Sequence, residues 1–174
     1  MSEKHTSSTA LHIALLTISD TRDLAQDKSG DKLAELLTAD GHILRGRQLV
    51  PDDVITIQSA VKIWIGDPDI DVVLTTGGTG LTGRDLTPEA LEPLFEKTIP
   101  GFGELFRWLS YAKIGPATIQ SRVLAGVANG TYIFALPGST SACIDTWETI
   151  LRHQFDSRSH PCNFIALMPR LRER

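Results

Sequence analysis

The residues with the clearest chemical meaning lie between Thr75 and Glu89, where the chain reads TTGGTGLTGRDLTPE. Gly77, Gly78, Gly80 and Gly83, with Thr79 among them, let backbone N–H groups approach an anion closely, because no Cβ holds the ligand off. Arg84 offers a forked contact for phosphate, and Asp85 a hard oxygen ligand for a cation. Asp52, within Pro51-Asp52-Asp53, is a second such carboxylate. Two carboxylates beside a phosphate-holding loop suit Mg²⁺, which takes few protein ligands and keeps waters and phosphates. Plainer readings stand beside this one. Glycines also make tight turns, and Asp52 and Asp85 also suit turns and helix starts.

Other motifs narrow the chemistry. Gly78-Thr79-Gly80-Leu81-Thr82-Gly83 matches the letters of the dinucleotide fingerprint. That fingerprint opens directly into a helix and has an acidic residue at a strand end about 20 residues on. Here the expected helix cap, Thr87, follows the last glycine only after a gap, and Glu104 falls in a helical stretch. No Gly-Lys-Ser/Thr follows the glycines, so the Walker pattern fails, and neither HExxH nor CxxC occurs. Ser121-Arg122 reads as helical and serves either as surface or as a phosphate fork. Ser139, after Pro137-Gly138, either caps a helix or lines a site. Cys143 and Cys162 make no disulfide framework, and Cys143 reads as core.

These residues need a scaffold, and the pattern of the chain supplies one. Strands are expected over 11–19, 42–50, 72–74 and 131–136. Helices are expected from Ser29 or Asp27 to Asp40, from Asp53 to Gly66, from Thr87 as N-cap with Pro88 in the first turn, over 102–114, over 118–127, and from Ser139 to about Leu151. Alternating strands and helices predict an α/β domain with a mostly parallel sheet. Ligands of such sheets bind beyond the carboxyl ends of the strands. Those ends carry Ser19-Asp20, Pro51 to Asp53, Gly77 to Asp85, and Pro137 to Ser139, so four polar loops should share one edge.

The whole chain is compatible with this. Its 174 residues, 41% hydrophobic and 22% charged, suit one globular domain that buries about 70% of its unfolded surface. A net charge of -4 argues against a general binder of nucleic acid or anionic membrane. Residues 1–9 read as a flexible polar terminus without a signal peptide, 10–165 as a single domain and 166–174 as a solvated tail. A cytoplasmic protein is expected.

The stretch TTGGTGLTGRDLTPEAL resembles the molybdopterin-binding family of molybdenum cofactor biosynthesis. The resemblance continues through PGFGELFRWLSYAKIG, SRVLAGVANGTYIFALPGST and HPCNF, and covers residues 10–165. It implies a three-layer α/β/α fold with a mostly parallel central sheet, and a homo-oligomer, trimer or hexamer. It also implies molybdopterin and ATP as ligands, with Mg²⁺. Carried over by residue, Gly77 to Gly80 match the family's glycine loop, and Asp85 and Asp52 its two aspartates. Ser19, Asp20, Glu104, Ser121, Arg122, Pro137, Gly138 and Ser139 fall in its pocket segments. The adenylyltransferase branch follows its proline-glycine with a polar residue and a second proline, whereas this chain has Pro137-Gly138-Ser139-Thr140. Two activities are therefore expected as alternatives: adenylylation of molybdopterin by ATP, or non-catalytic binding and carriage of it.

Overall fold

A computed structural model describes residues 8–173, so most of the flexible terminus expected over 1–9 lies outside the described residues. Strand β1 (His12–Ile18) pairs in parallel with β2 (Ile43–Val50) and β3 (Val72–Thr76), and β3 in parallel with β6 (Thr131–Leu136). Strands β4 (Lys97–Thr98) and β5 (Leu124–Ala128) complete a six-stranded sheet of order β2-β1-β3-β6-β5-β4. The β5 strand runs antiparallel to both its neighbours.

Alternation along the strands divides the core into two. Ile13, Leu15, Val72, Leu74, Tyr132 and Phe134 face one side, against Leu33 and Leu37 of α1 (Lys28–Ala39), Phe102 and Phe106 of α4 (Pro100–Ile114), and the buried Trp147. Ala14, Leu16, Val73 and Ile133 face the other, against Ile57, Val61 and Trp64 of α2 (Val54–Ile65) and Ala90 and Leu91 of α3 (Thr87–Leu91). A strand covered on both faces shows no polar alternation, and β3 and β6 are buried throughout. The fold is the expected three-layer α/β/α arrangement. No helix among the described residues is long and apolar enough to cross a membrane.

Three expectations change. The helix expected over 118–127 is a 3₁₀ turn (Gly115–Gln120) followed by β5. Asn129, at φ 49°, and Gly130, at φ 78°, form its hairpin to β6. Asn-Gly between apolar runs favours that turn, because both central residues need positive φ. Second, Thr87 does not cap α3; Leu86 holds that position without a side-chain bond. Third, the tail expected to be solvated over 166–174 is anchored in part. A short helix, Phe164–Leu167, leads to Met168 and Leu171, which pack on the core, and Arg172 donates to the Asn129 carbonyl.

Helix α5 (Thr140–Thr146) continues through a π-helical turn at Trp147–Leu151. Trp147 Nε1 donates to Asp40 at 2.7 Å, tying this helix to the end of α1. At the other end of α1, buried Asp27 caps the helix by accepting the Gly30 amide. It also accepts from Thr17 Oγ1 at 2.6 Å and Arg47 Nη2 at 2.8 Å. Burial opposes its ionisation, but Thr17, Arg47 and the Gly30 amide outweigh burial and hold its pKa below the ordinary carboxylate value. Removing one partner of a buried pair strands the other. Asp27→Ala is therefore expected to lose about 3 kcal/mol in urea unfolding at neutral pH. Because the folded pKa is lowered, this stabilisation is present above about pH 4 and fades as pH falls. The gap between wild type and variant should narrow in acid.

Candidate functional site

Strands β1, β2, β3 and β6 end at one edge, and the four polar loops meet there as expected. The Gly77 amide donates to Leu136 O at 3.1 Å, joining the exits of β3 and β6. Gly77 has φ +102°, and a Cβ on it would strike the Ile18 carbonyl. Gly78 has φ +65°, and a Cβ there would strike Thr87 Oγ1 and Asp52 Oδ2. Both positions need glycine, since positive φ and the space itself exclude a side chain. Thr87 turns back onto this loop. Its Oγ1 donates to Gly77 O at 2.8 Å, and its N–H to Gly78 O at 3.0 Å.

The carboxylates form a connected group. Asp52 is 7% exposed; its Oδ1 accepts the Leu86 amide, and its own amide donates to Asp20 Oδ1, both at 3.0 Å. Arg84 grips Asp20 Oδ2 through Nε at 2.8 Å and Nη2 at 2.6 Å. Asp85 Oδ2 accepts from the amide and hydroxyl of Thr82 at 2.8 and 2.6 Å. Burial pushes the Asp52 carboxyl above its ordinary pKa, and the nearby charges of Asp20 and Asp85 push the same way against the Leu86 amide. The Thr82 hydroxyl, foremost, holds Asp85 below the ordinary value. The Asp52 amide and then Arg84 do the same for Asp20.

This donor set fits a magnesium ion. Asp52 Oδ2 faces Gly78 without a hydrogen bond among the described residues, and Asp85, held ionised by Thr82 and the Gly80 amide, presents a second carboxylate to the same loop. A cation would relieve the like-charge crowding at Asp52. Among the described residues no group of three or more His, Cys, Asp or Glu side chains is placed to hold a metal. Ligand phosphates and waters would have to complete the shell, as Mg²⁺ prefers.

Arg122 lies in the lead into β5 rather than on a helix, and it braces the loop from outside. Its Nε donates to Gly80 O and its Nη2 to Asp85 O, each at 2.7 Å. Its Nη1 pairs with Glu89, and its backbone amide donates to Thr79 O at 2.9 Å. These bonds place the guanidinium on the loop backbone.

Two hollows flank Pro137-Gly138-Ser139. One, about 180 Å³, is lined by Ser19, Gly77, Gly78 and Gly138 together with Arg22 and Ser29. The other, about 280 Å³ and largely apolar, is lined by Phe106, Ile114, Ser121, Pro137 and Ser139. Ser121 lines it, with its Oγ turned out of solvent and without a hydrogen-bond partner among the described residues. The Ser139 hydroxyl caps α5 by accepting the Ala142 amide. Glu104 is not brought to this edge; it lines a separate cleft with Phe95 and Arg107. Cys143 is fully buried, and burial pushes its thiol up to about 11, as suits a core residue.

Sequence reasoning missed Arg22, Ser29 and the inward role of Thr87. Ser29 is free of capping because Asp27 takes that position, and its hydroxyl donates to Gly138 O at 3.0 Å.

Comparison with known proteins shows the family. A family described as a probable molybdopterin binding domain matches residues 14–157. The chain belongs to this family. Molybdenum cofactor biosynthesis protein B of Escherichia coli K12 is 48% identical over 164 residues, 94% of this chain and 96% of that protein. The protein of the same name from Staphylococcus aureus Mu50 is 43% identical over 150 residues, 84% of this chain and 89% of that one. A crystal structure of a molybdenum cofactor biosynthesis protein B superposes with a TM-score of 0.82 at 41% identity, covering 84% of this chain and 92% of that one. The molybdopterin-binding domain thus spans most of the described residues, and its role lies in molybdenum cofactor biosynthesis.

Two outcomes test this geometry. Arg122→Gln should speed amide exchange across 79–89 about tenfold, the effect of losing hydrogen bonds worth about 1–1.5 kcal/mol. Its global unfolding midpoint should change much less. Asp85→Asn should lower the Asp52 pKa by removing a like charge, read as an acid-ward shift of the Asp52 carboxyl resonance in NMR titration.

Proposed function

We propose that this chain binds molybdopterin and ATP-Mg²⁺ and transfers the adenylyl group to the pterin, releasing pyrophosphate. The observation that carries this reading is the glycine loop set against Asp52, a carboxylate that burial and two like charges make reluctant to ionise. Such a cluster is completed by a cation, and a glycine loop with open amides by phosphate. The apolar hollow beyond Pro137, lined by Phe106, Ile114 and Pro137 with Ser139 at its edge, suits a fused heterocycle. The relatives named for molybdenum cofactor biosynthesis support molybdopterin as that heterocycle.

In this reading no side chain forms a covalent bond. An oxygen of the pterin's terminal phosphate attacks the α-phosphorus of ATP. The bond from that phosphorus to the oxygen bridging the β-phosphate breaks, and pyrophosphate leaves with the electron pair. Magnesium, when bound, supplies neutralisation of phosphate charge. The chain aligns the two phosphates on the loop and excludes water from the apolar hollow. Asp52 and Asp85 would hold the ion, and the brace of Arg122 and Thr87 keeps the loop in place.

The second reading, a non-catalytic carrier, is favoured by Ser139-Thr140, which are engaged in capping α5 and in bonding Ser29. Pyrophosphate release from ATP and molybdopterin separates the two. Release is expected, with Asp52→Asn and Asp85→Asn each slowing it by at least about 100-fold. Tight pterin binding with no release would establish the carrier instead.

The proposal includes a homo-oligomer, trimer or hexamer. Trp108 is 73% exposed, and Tyr111, Ile114 and Ile119 are exposed nearby, which favours burial of this face against another copy. Sedimentation showing a monomer at micromolar concentration would reject that part.

A further inference from the structure

The arginines around the glycine loop are not equivalent. Arg84 is locked in a forked pair with Asp20, and Arg122 is committed to Gly80 O, Asp85 O and Glu89. Arg22 lines the 180 Å³ cleft, and its guanidinium makes no hydrogen bond or ion pair among the described residues. Its backbone is anchored, since the Arg22 amide donates to Ser19 Oγ at 3.3 Å.

The cleft itself has the chemistry of an anion site. No carboxylate lines it. Asp27, the acid nearest its floor residue Thr17, is already bonded to Thr17, Arg47 and the Gly30 amide. The amides of Gly78 and Gly138, both lining the cleft, donate to no protein acceptor among the described residues. Gly78 thus separates two halves of the edge. Its Asp52 side gathers negative charge, and its Arg22 side presents donors and an unpaired cation. The volume is well below the roughly 300 Å³ at which pockets for drug-sized ligands begin. It accommodates a phosphoryl group, not a nucleotide.

We propose that Arg22, with the Gly78 and Gly138 amides, forms a subsite for the terminal phosphoryl group of a phosphate ester. The assignment deepens the adenylyl-transfer reading and rests on it for the identity of the ester. That ester is either a phosphate monoester or the end of a polyphosphate chain, and the chemistry at Arg22 is the same.

Calorimetric titration of the full chain with inorganic phosphate, and separately with ATP-Mg²⁺, tests it in wild type, Arg22→Gln and Arg22→Lys. Arg22→Gln should weaken phosphate at least tenfold, the equivalent of about 1.4 kcal/mol, and Arg22→Lys less. The salt dependence of phosphate binding should become shallower in Arg22→Gln. Melting of the variants should match wild type, because the guanidinium holds nothing in the protein. Competition between phosphate and ATP, with both weakened by Arg22→Gln, identifies the polyphosphate chain as occupant. Independent binding, with only phosphate weakened, identifies the monoester. Equal phosphate affinity in wild type and Arg22→Gln, or no phosphate binding by wild type, overturns the subsite. Pyrophosphate release by wild type is scored separately. Arg22-dependent phosphate binding without release rejects the transfer reading and keeps the subsite. Release with Arg22-independent phosphate binding does the reverse.

Discussion

The carbonyl of Ile18 stands where a side chain on Gly77 would begin, and the Gly77 amide is bonded to Leu136. This close approach of three backbones, at the ends of β1, β3 and β6, sets the geometry of the site. A chain leaving β3 can turn there only with positive φ and without a Cβ. The next residue, Gly78, then passes between Asp52 and Thr87 with no space for a methyl group. The loop is positioned by exclusion as much as by attraction. Its backbone keeps one conformation because the alternatives are sterically closed.

Electrostatics are layered on that constraint. Asp20, Asp52 and Asp85 crowd together, and only Asp20 has an arginine on its carboxylate. The Asp52 carboxyl is raised, whereas Asp20 and Asp85 are lowered by their own donors. Negative charge is therefore concentrated where the protein supplies the fewest compensating bonds. Across Gly78 the lining changes to hydroxyls, amides and Arg22. Groups of opposite charge can sit side by side with only a thin backbone between them.

Much of this was legible in the sequence. The glycines, Asp52 and Asp85 carry their chemistry in residue type, and the alternation of strands and helices placed their loops on one edge. What stayed hidden has physical causes. The partners of Arg122 are two backbone carbonyls, which no residue letter encodes, and Glu89. Leu124 to Ala128 has one β-branched residue and two alanines, so its composition suggested a helix. The Asn129-Gly130 turn after it was the better guide, because it demands two positive φ values between paired strands. Thr87 precedes a proline as a cap would, yet its hydroxyl bonds the loop behind it. The anchoring of the expected tail was hidden because it comes from packing, with Met168 and Leu171 partly buried against one side of the core.

The brace from Arg122 has a consequence for how the molecule is made. It reaches back 42 residues to Gly80 and 37 to Asp85, and the Gly77 amide waits for Leu136, further along still. Contacts this distant in sequence form only after the intervening chain has been ordered. On the ribosome, the glycine loop emerges long before the residues that hold it. A truncated product ending before residue 122 carries Gly77 to Gly83 and both aspartates, with the bonds from Thr82, Leu86 and Thr87 but without the brace from Arg122 or the Leu136 carbonyl. The site is completed by the last strand of the sheet to be synthesised.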